Sequence, residues 1–140
     1  MSNQWIDPNT CRSLAILVES VTAPLLIEHT APICLEIDID MSLEVPADPG
    51  RTVELLKTLV GQSLAEMPKG GDLSITAVET SHGVELELAD TGCDIQDRAT
   101  RLPLAAAAIG AQVTWQNCPQ GGAAVTVTFR RASGQQRMAA

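Results

Sequence analysis

Few residues in this chain combine the type and the spacing that chemistry requires. The four cysteines, Cys11, Cys34, Cys93 and Cys118, are scattered singly, and no C-x-x-C pair occurs. With only two histidines, His29 and His82, a zinc site has no sequence support. His29 falls in Glu28-His29-Thr30, between elements, and reads as an incidental surface side chain. Two groups stand apart. Asp90-Thr91-Gly92-Cys93-Asp94-Ile95 follows directly on an alternating apolar strand, so a carboxylate stands where the strand gives way to a loop. Thr58 and Gln62 lie four apart, on one face of a helix. Taken alone, Asp90 suits a turn cap, and Thr58 with Gln62 suits the solvent side of that helix.

The elements that must position these residues are read from periodicity. Asp7-Pro8-Asn9-Thr10 offers a helix start, and Leu14, Leu17, Val18, Val21 and Leu25 follow at helical spacing. Thr22-Ala23-Pro24 predicts a kink or an end near Val21, with a turn resumed to Glu28 left open. Ile33, Leu35, Ile37 and Ile39 alternate as a half-buried strand, and a proline-containing loop from Met41 to Gly50 follows. Arg51 to Met67 reads as a second helix, stopped by Pro68-Lys69-Gly70-Gly71. A hairpin follows, with strands Leu73–Thr80 and Val84–Ala89 around the turn Ser81-His82-Gly83. A short helix over Arg98–Ile109 carries Ala105–Ala108 as a close packing face. Strands Gln112–Gln116 and Ala124–Arg130 close the chain, and Gln4–Ile6 is a candidate opening strand. The fold class predicted is α+β, a two-layer sandwich with helices on one face of a mixed sheet. Glu36, Asp38, Glu85 and Glu87 alternate away from the apolar side, which predicts an acidic, solvated outer face.

Composition bounds the function. The 140 residues make one domain over 1–131, with 132–140 a small, polar tail expected to fray. Hydrophobic residues at 45% against 19% charged exclude a disordered chain. Trp5, Trp115 and Phe129 are the only aromatic residues, so the core must be aliphatic. Nine basic against 17 acidic residues give a net charge of −8, which argues against a nucleic-acid partner, whose phosphates need a basic stripe. No run of ~18 apolar residues and no basic leader is present, so the expectation is a cytoplasmic protein without membrane attachment, its thiols free.

Four segments in register carry a family resemblance. Asp48-Pro49 opens the second helix as "D-P-x-R/L" does, and Leu59-Val60-Gly61-Gln62-Ser63-Leu64 falls where "N-L-L-x-N-A" is expected. Pro68-Lys69-Gly70-Gly71-Asp72-Leu73-Ser74-Ile75 matches "P-x-G-G-x-I-x-I", and Asp90-Thr91-Gly92-Cys93-Asp94-Ile95 matches "D-x-G-x-G-I". Together they resemble the ATP-binding catalytic domain of sensor histidine kinases, within the ATPase superfamily shared with gyrase and mismatch-repair proteins. The resemblance implies roles. Asp90 would accept a hydrogen bond from the adenine amino group, and Gly92 would let the backbone approach the ring. Thr58 and Gln62 stand where the family's helix asparagines face phosphates, Gln62 at the magnesium ligand's position.

The departures from the family pattern lie at the same site. Gln62 replaces an asparagine with a stem one methylene longer, and Asp94 puts a negative charge where a second glycine is expected. The long lid and its "G-L-G-L" are reduced to a few residues and Arg101-Leu102-Pro103-Leu104, where Pro103 has no N–H to donate. Arg101 is the candidate compensating phosphate cation. The reading is a degenerate domain with weak or absent ATP binding, acting as an interaction or regulatory module. Its partner would be a response regulator, a phosphotransfer protein or a kinase. Mg-ATP is the implied cofactor only if the site works. One alternative is an active ATP-dependent histidine protein kinase acting on a separate chain; a second is a serine-kinase anti-sigma factor. A phosphotransferase built on this domain fails for want of a helical hairpin and its histidine.

Overall fold

The computed structural model describes residues 11–98 and 103–130. In chain order, α1 spans Leu14–Glu28, β1 Ile33–Asp38, α2 Pro49–Ala65, β2 Gly71–Thr80 and β3 Gly83–Asp90. A 3-10 turn at Ile95–Asp97 follows, then α3 Leu104–Ala108, β4 Gln112–Asn117 and β5 Ala123–Arg130. The five strands form one sheet in the order β1-β2-β3-β5-β4. β1 runs parallel to β2, and every other pair is antiparallel.

Alternation decides the two faces of this sheet. Leu73 and Ile75 of β2, Leu86 and Leu88 of β3 and Val127 of β5 are fully buried on one side. Leu14, Leu17 and Val18 of α1 and Leu55, Leu56, Leu59 and Val60 of α2 close over them. The core is aliphatic apart from buried Phe129 and half-buried Trp115. α2 packs between α1 and α3, so the helices form one layer. On the opposite face Glu36, Asp38 and Glu85 are exposed and Glu87 half-buried, as the alternation predicts.

Three sequence expectations are corrected. α1 starts at Leu14, where Ser13 Oγ accepts the Ile16 N–H at 3.4 Å. The chain before it is held extended, with Val45 N–H donating to Arg12 O at 2.7 Å and Leu14 N–H to Leu43 O at 2.9 Å. The helix runs through Pro24 to Glu28 instead of ending near Val21. Pro24 lies exposed near the helix end, so its ring costs one intrahelical bond while Leu25 and Leu26 still pack on the core. α3 covers five residues rather than Arg98–Ile109, and of its alanine run only Ala105 and Ala106 are buried. Gln4–Ile6, Asp7–Thr10 and the tail from 132 lie outside the described residues, as do 99–102. Among the described residues no helix is long and apolar enough to cross a membrane.

Candidate functional site

Asp90 is the last residue of β3 and pairs with Leu73 of β2. Continuing the alternation of Leu86 and Leu88, its side chain points to the helical layer and is buried. A lone carboxylate there would carry a penalty of several kcal/mol. Arg98 removes it. Arg98 Nη1 donates to Asp90 Oδ2 and Nη2 to Oδ1, both at 2.9 Å, and the two side chains are only 7% and 2% exposed. Oδ1 also accepts the Gly92 N–H at 2.9 Å. This is a two-pronged, charge-assisted pair, the strongest class of side-chain hydrogen bond. The Asp90 hydrogen bond holds the guanidinium above its already high range, partly opposed by burial.

The loop between these two residues closes on itself. Arg98 Nε donates to the Cys93 carbonyl at 3.1 Å, and Nη2 donates to the same oxygen. Asn117, at the end of β4, accepts the Ile95 N–H at 2.8 Å and donates to Gln96 Oε1 at 3.0 Å, which pins the 3-10 turn. Gly92 packs on the end of α2. A Cβ there would lie 2.6 Å from Glu66 O and 3.1 Å from Arg98 Nη2. The glycine thus admits the protein's own backbone and guanidinium. Cys93 Sγ donates to Glu66 Oε1 at 3.0 Å, a bond that pushes the thiol up from its ordinary range.

Between α2, the Asp90–Arg98 pair and the facing residues of β4 and β5 lies a cavity of about 250 Å³, lined by Leu59, Gln62, Glu66, Asp90, Arg98 and Trp115 among others. The sequence-predicted residues are thus only partly brought together. Gln62 and Asp90 reach the cavity. Thr58 is exposed and donates from Oγ1 to Glu54 O at 3.0 Å, away from the lining. Gly92 lies on the protein side of Arg98, Asp94 is exposed, and Arg101 is outside the described residues. His29, half-buried, hydrogen-bonds through Nε2 to Met67 O at 2.9 Å, so it ties the ends of α1 and α2 together. A larger, open depression of about 760 Å³ sits at the Asp40–Pro46 loop and the far ends of β2, β3 and β5, and contains none of these residues.

Arg98, Glu66 and Trp115 are the site residues that sequence reading missed. A signal for Arg98 existed: a carboxylate on the core side of a strand needs a cation, and Arg98 is the first one after Asp90. As arranged here, these residues offer Mg-ATP a site already partly occupied by Arg98. The carboxylate that would read the base already accepts from Arg98 through both oxygens, and the cavity is below the ~300 Å³ at which small-ligand pockets usually begin. Gln62 contributes one amide oxygen, and among the described residues no group of three His, Cys, Asp or Glu side chains could hold a metal ion.

Solved structures place this geometry among known proteins. The mycobacterial sensor histidine kinase MprB superposes with a TM-score of 0.69 at 12% identity, over 84% of this chain and 95% of that one. The catalytic domain of histidine kinase ThkA gives 0.67 at 18% identity, over 84% and 93%. The ATP-binding domain of PrrB from Mycobacterium tuberculosis gives 0.64 at 16% identity, over 91% and 100%. No protein-family model matches the chain, and no curated protein matches it by sequence. The helical layer, the mixed sheet and their likeness to these domains establish that the chain has the fold of a histidine-kinase catalytic (ATPase) domain.

Proposed function

We propose that the protein is a degenerate histidine-kinase-like ATPase domain serving as an interaction or regulatory module in cytoplasmic two-component-type signalling. One observation carries this reading: the aspartate in the base-reading position is taken, both oxygens, by the chain's own Arg98. The small cavity and the outward-facing Thr58 support it. A fold kept while its ligand-reading groups are tied up retains one use, a surface for another protein. The partner is a response regulator, a phosphotransfer protein or a kinase; the net charge of −8 suits neither nucleic acid nor an anionic membrane. The active-kinase alternative requires Arg98 to leave Asp90.

Thermal unfolding with about 1 mM Mg-ATP tests this. A ligand at a hundredfold over its Kd adds ~2.7 kcal/mol, several degrees in midpoint for a domain of this size. The expected result is no shift in the wild type and none in Asp90→Asn. A rise that disappears in Asp90→Asn overturns the reading and puts the kinase alternative first. A receiver domain or phosphotransfer protein from the same cell should then bind the immobilised protein saturably, whether or not ATP is added.

A further inference from the structure

The acceptors around Arg98 define a shape. Asp90 Oδ1 and Oδ2 face two parallel N–H donors at 2.9 Å each, and the Cys93 carbonyl takes Nε and Nη2 on the adjoining edge. Three oxygens thus converge on one planar group, which carries five donors and no acceptor. Glu66, at the end of α2, lines the same cavity. Such a cradle rewards a flat cation with parallel N–H groups. The amino edge of adenine offers one donor beside an acceptor nitrogen, and that nitrogen would face a carboxylate oxygen without a proton between them.

From this geometry we infer that Asp90, the Cys93 carbonyl and the wall carrying Glu66 form a binding cradle for guanidinium- or amidine-type groups, with Arg98 as its resident intramolecular ligand. The inference rests on the closed cleft of the proposed function and names the ligand class that cleft is built for. Arg98 keeps the site shut because it occupies both Asp90 oxygens and the Cys93 carbonyl. Truncating it joins the vacated space to the 250 Å³ cavity and leaves Asp90 with the Gly92 N–H as its remaining partner, so the site carries an uncompensated negative charge. Specificity follows from the fork: a planar, two-donor cation restores both bonds to Asp90, whereas a tetrahedral ammonium restores one.

The test uses Arg98→Ala, with methylguanidinium at about 10 mM as probe and methylammonium as the matched cation. Removing one member of a buried ion pair should lower the thermal midpoint by about 6 °C or more. Methylguanidinium should recover at least half of that loss, methylammonium little, and neither should move the wild type or the Asp90→Asn, Arg98→Ala double variant. No recovery in folded Arg98→Ala overturns the cradle, as does equal recovery by methylammonium or in the double variant. Should Arg98→Ala not fold, side-chain ¹⁵N spectra of the wild type decide. Separate, slowly rotating Arg98 Nη signals, collapsed in Asp90→Asn, are expected; freely averaged signals in the wild type overturn the proposal. The two readings fail separately. A Mg-ATP shift in the wild type removes the module reading, whereas absent methylguanidinium rescue without such a shift removes only the cradle.

Discussion

Asp90 shows how one side chain's direction fixes the chemistry around it. Strand alternation sends its carboxylate inward, burial demands a cation, and the eight residues to Arg98 are just long enough to fold one back. The inward direction was legible in the sequence, because Leu86, Leu88 and Asp90 share a parity. The partner left one signal, Arg98 being the first cation after Asp90, but an ion pair closing across a 3-10 turn leaves no periodicity, and Arg101 stands where the family pattern looks for a cation. The Cys93–Glu66 hydrogen bond is equally silent in sequence and has a consequence in pH. Glu66 favours the protonated thiol, so the folded chain holds that proton to higher pH than the unfolded chain does. Below about pH 8.5 both states are protonated and the group contributes no pH dependence; above it the unfolded state binds fewer protons and stability falls. The urea midpoint of the wild type should therefore drop more steeply above about pH 8.5 than that of Cys93→Ala. Parallel profiles would show that the bond does not persist in solution.

Elements whose boundaries are set by local rules were read well. β1, β2, β3 and β5 follow their alternation to within two residues, and α2 follows its apolar stripe. Its start is also local: Asp48 accepts the Arg51 N–H at 3.0 Å through Oδ2, with Pro49 at the first helical position. Asp48→Ala should lower unfolding free energy by about 1 kcal/mol, seen as a lower urea midpoint at unchanged slope. A loss near zero would mean that packing alone starts this helix. Elements shaped by tertiary contact were read poorly. The start of α1 depends on a bridge between Ser13 and Glu44 that no local pattern encodes. α3 is shorter than the helix expected over Arg98–Ile109 because Arg98 is drawn into the Asp90 site and Pro103 marks a later beginning. The strand order, with β1 parallel to β2 and β5 between β3 and β4, lies beyond periodicity altogether; the sequence predicts a mixed sheet and no order within it.

At the scale of the whole molecule, the same layers persist at 12–18% identity to MprB, ThkA and PrrB, so the fold tolerates almost complete replacement of side chains. What the aliphatic core does not determine is the outer sheet face, and here that face is acidic. Asp38 and Glu87 both lie opposite Thr76, one on each side of β2, so they stand about 10 Å apart. Glu85 is two residues along β3 from Glu87, about 7 Å away on the same face. With a net charge of −8, few cations are available to offset them. Each acid is solvated, so every pairwise repulsion is small, but at about 10 mM salt the ~30 Å Debye length leaves them all in communication. Glu87→Lys places a cation between Asp38 and Glu85 while leaving the buried face untouched. It should stabilise the domain by about 0.5 kcal/mol at 10 mM salt, with most of the gain lost at about 0.5 M, where screening acts within ~5 Å. Urea midpoints at the two salt concentrations measure the difference. A gain that is equal at both would assign the effect to strand propensity, and the acidic face would then carry no electrostatic strain.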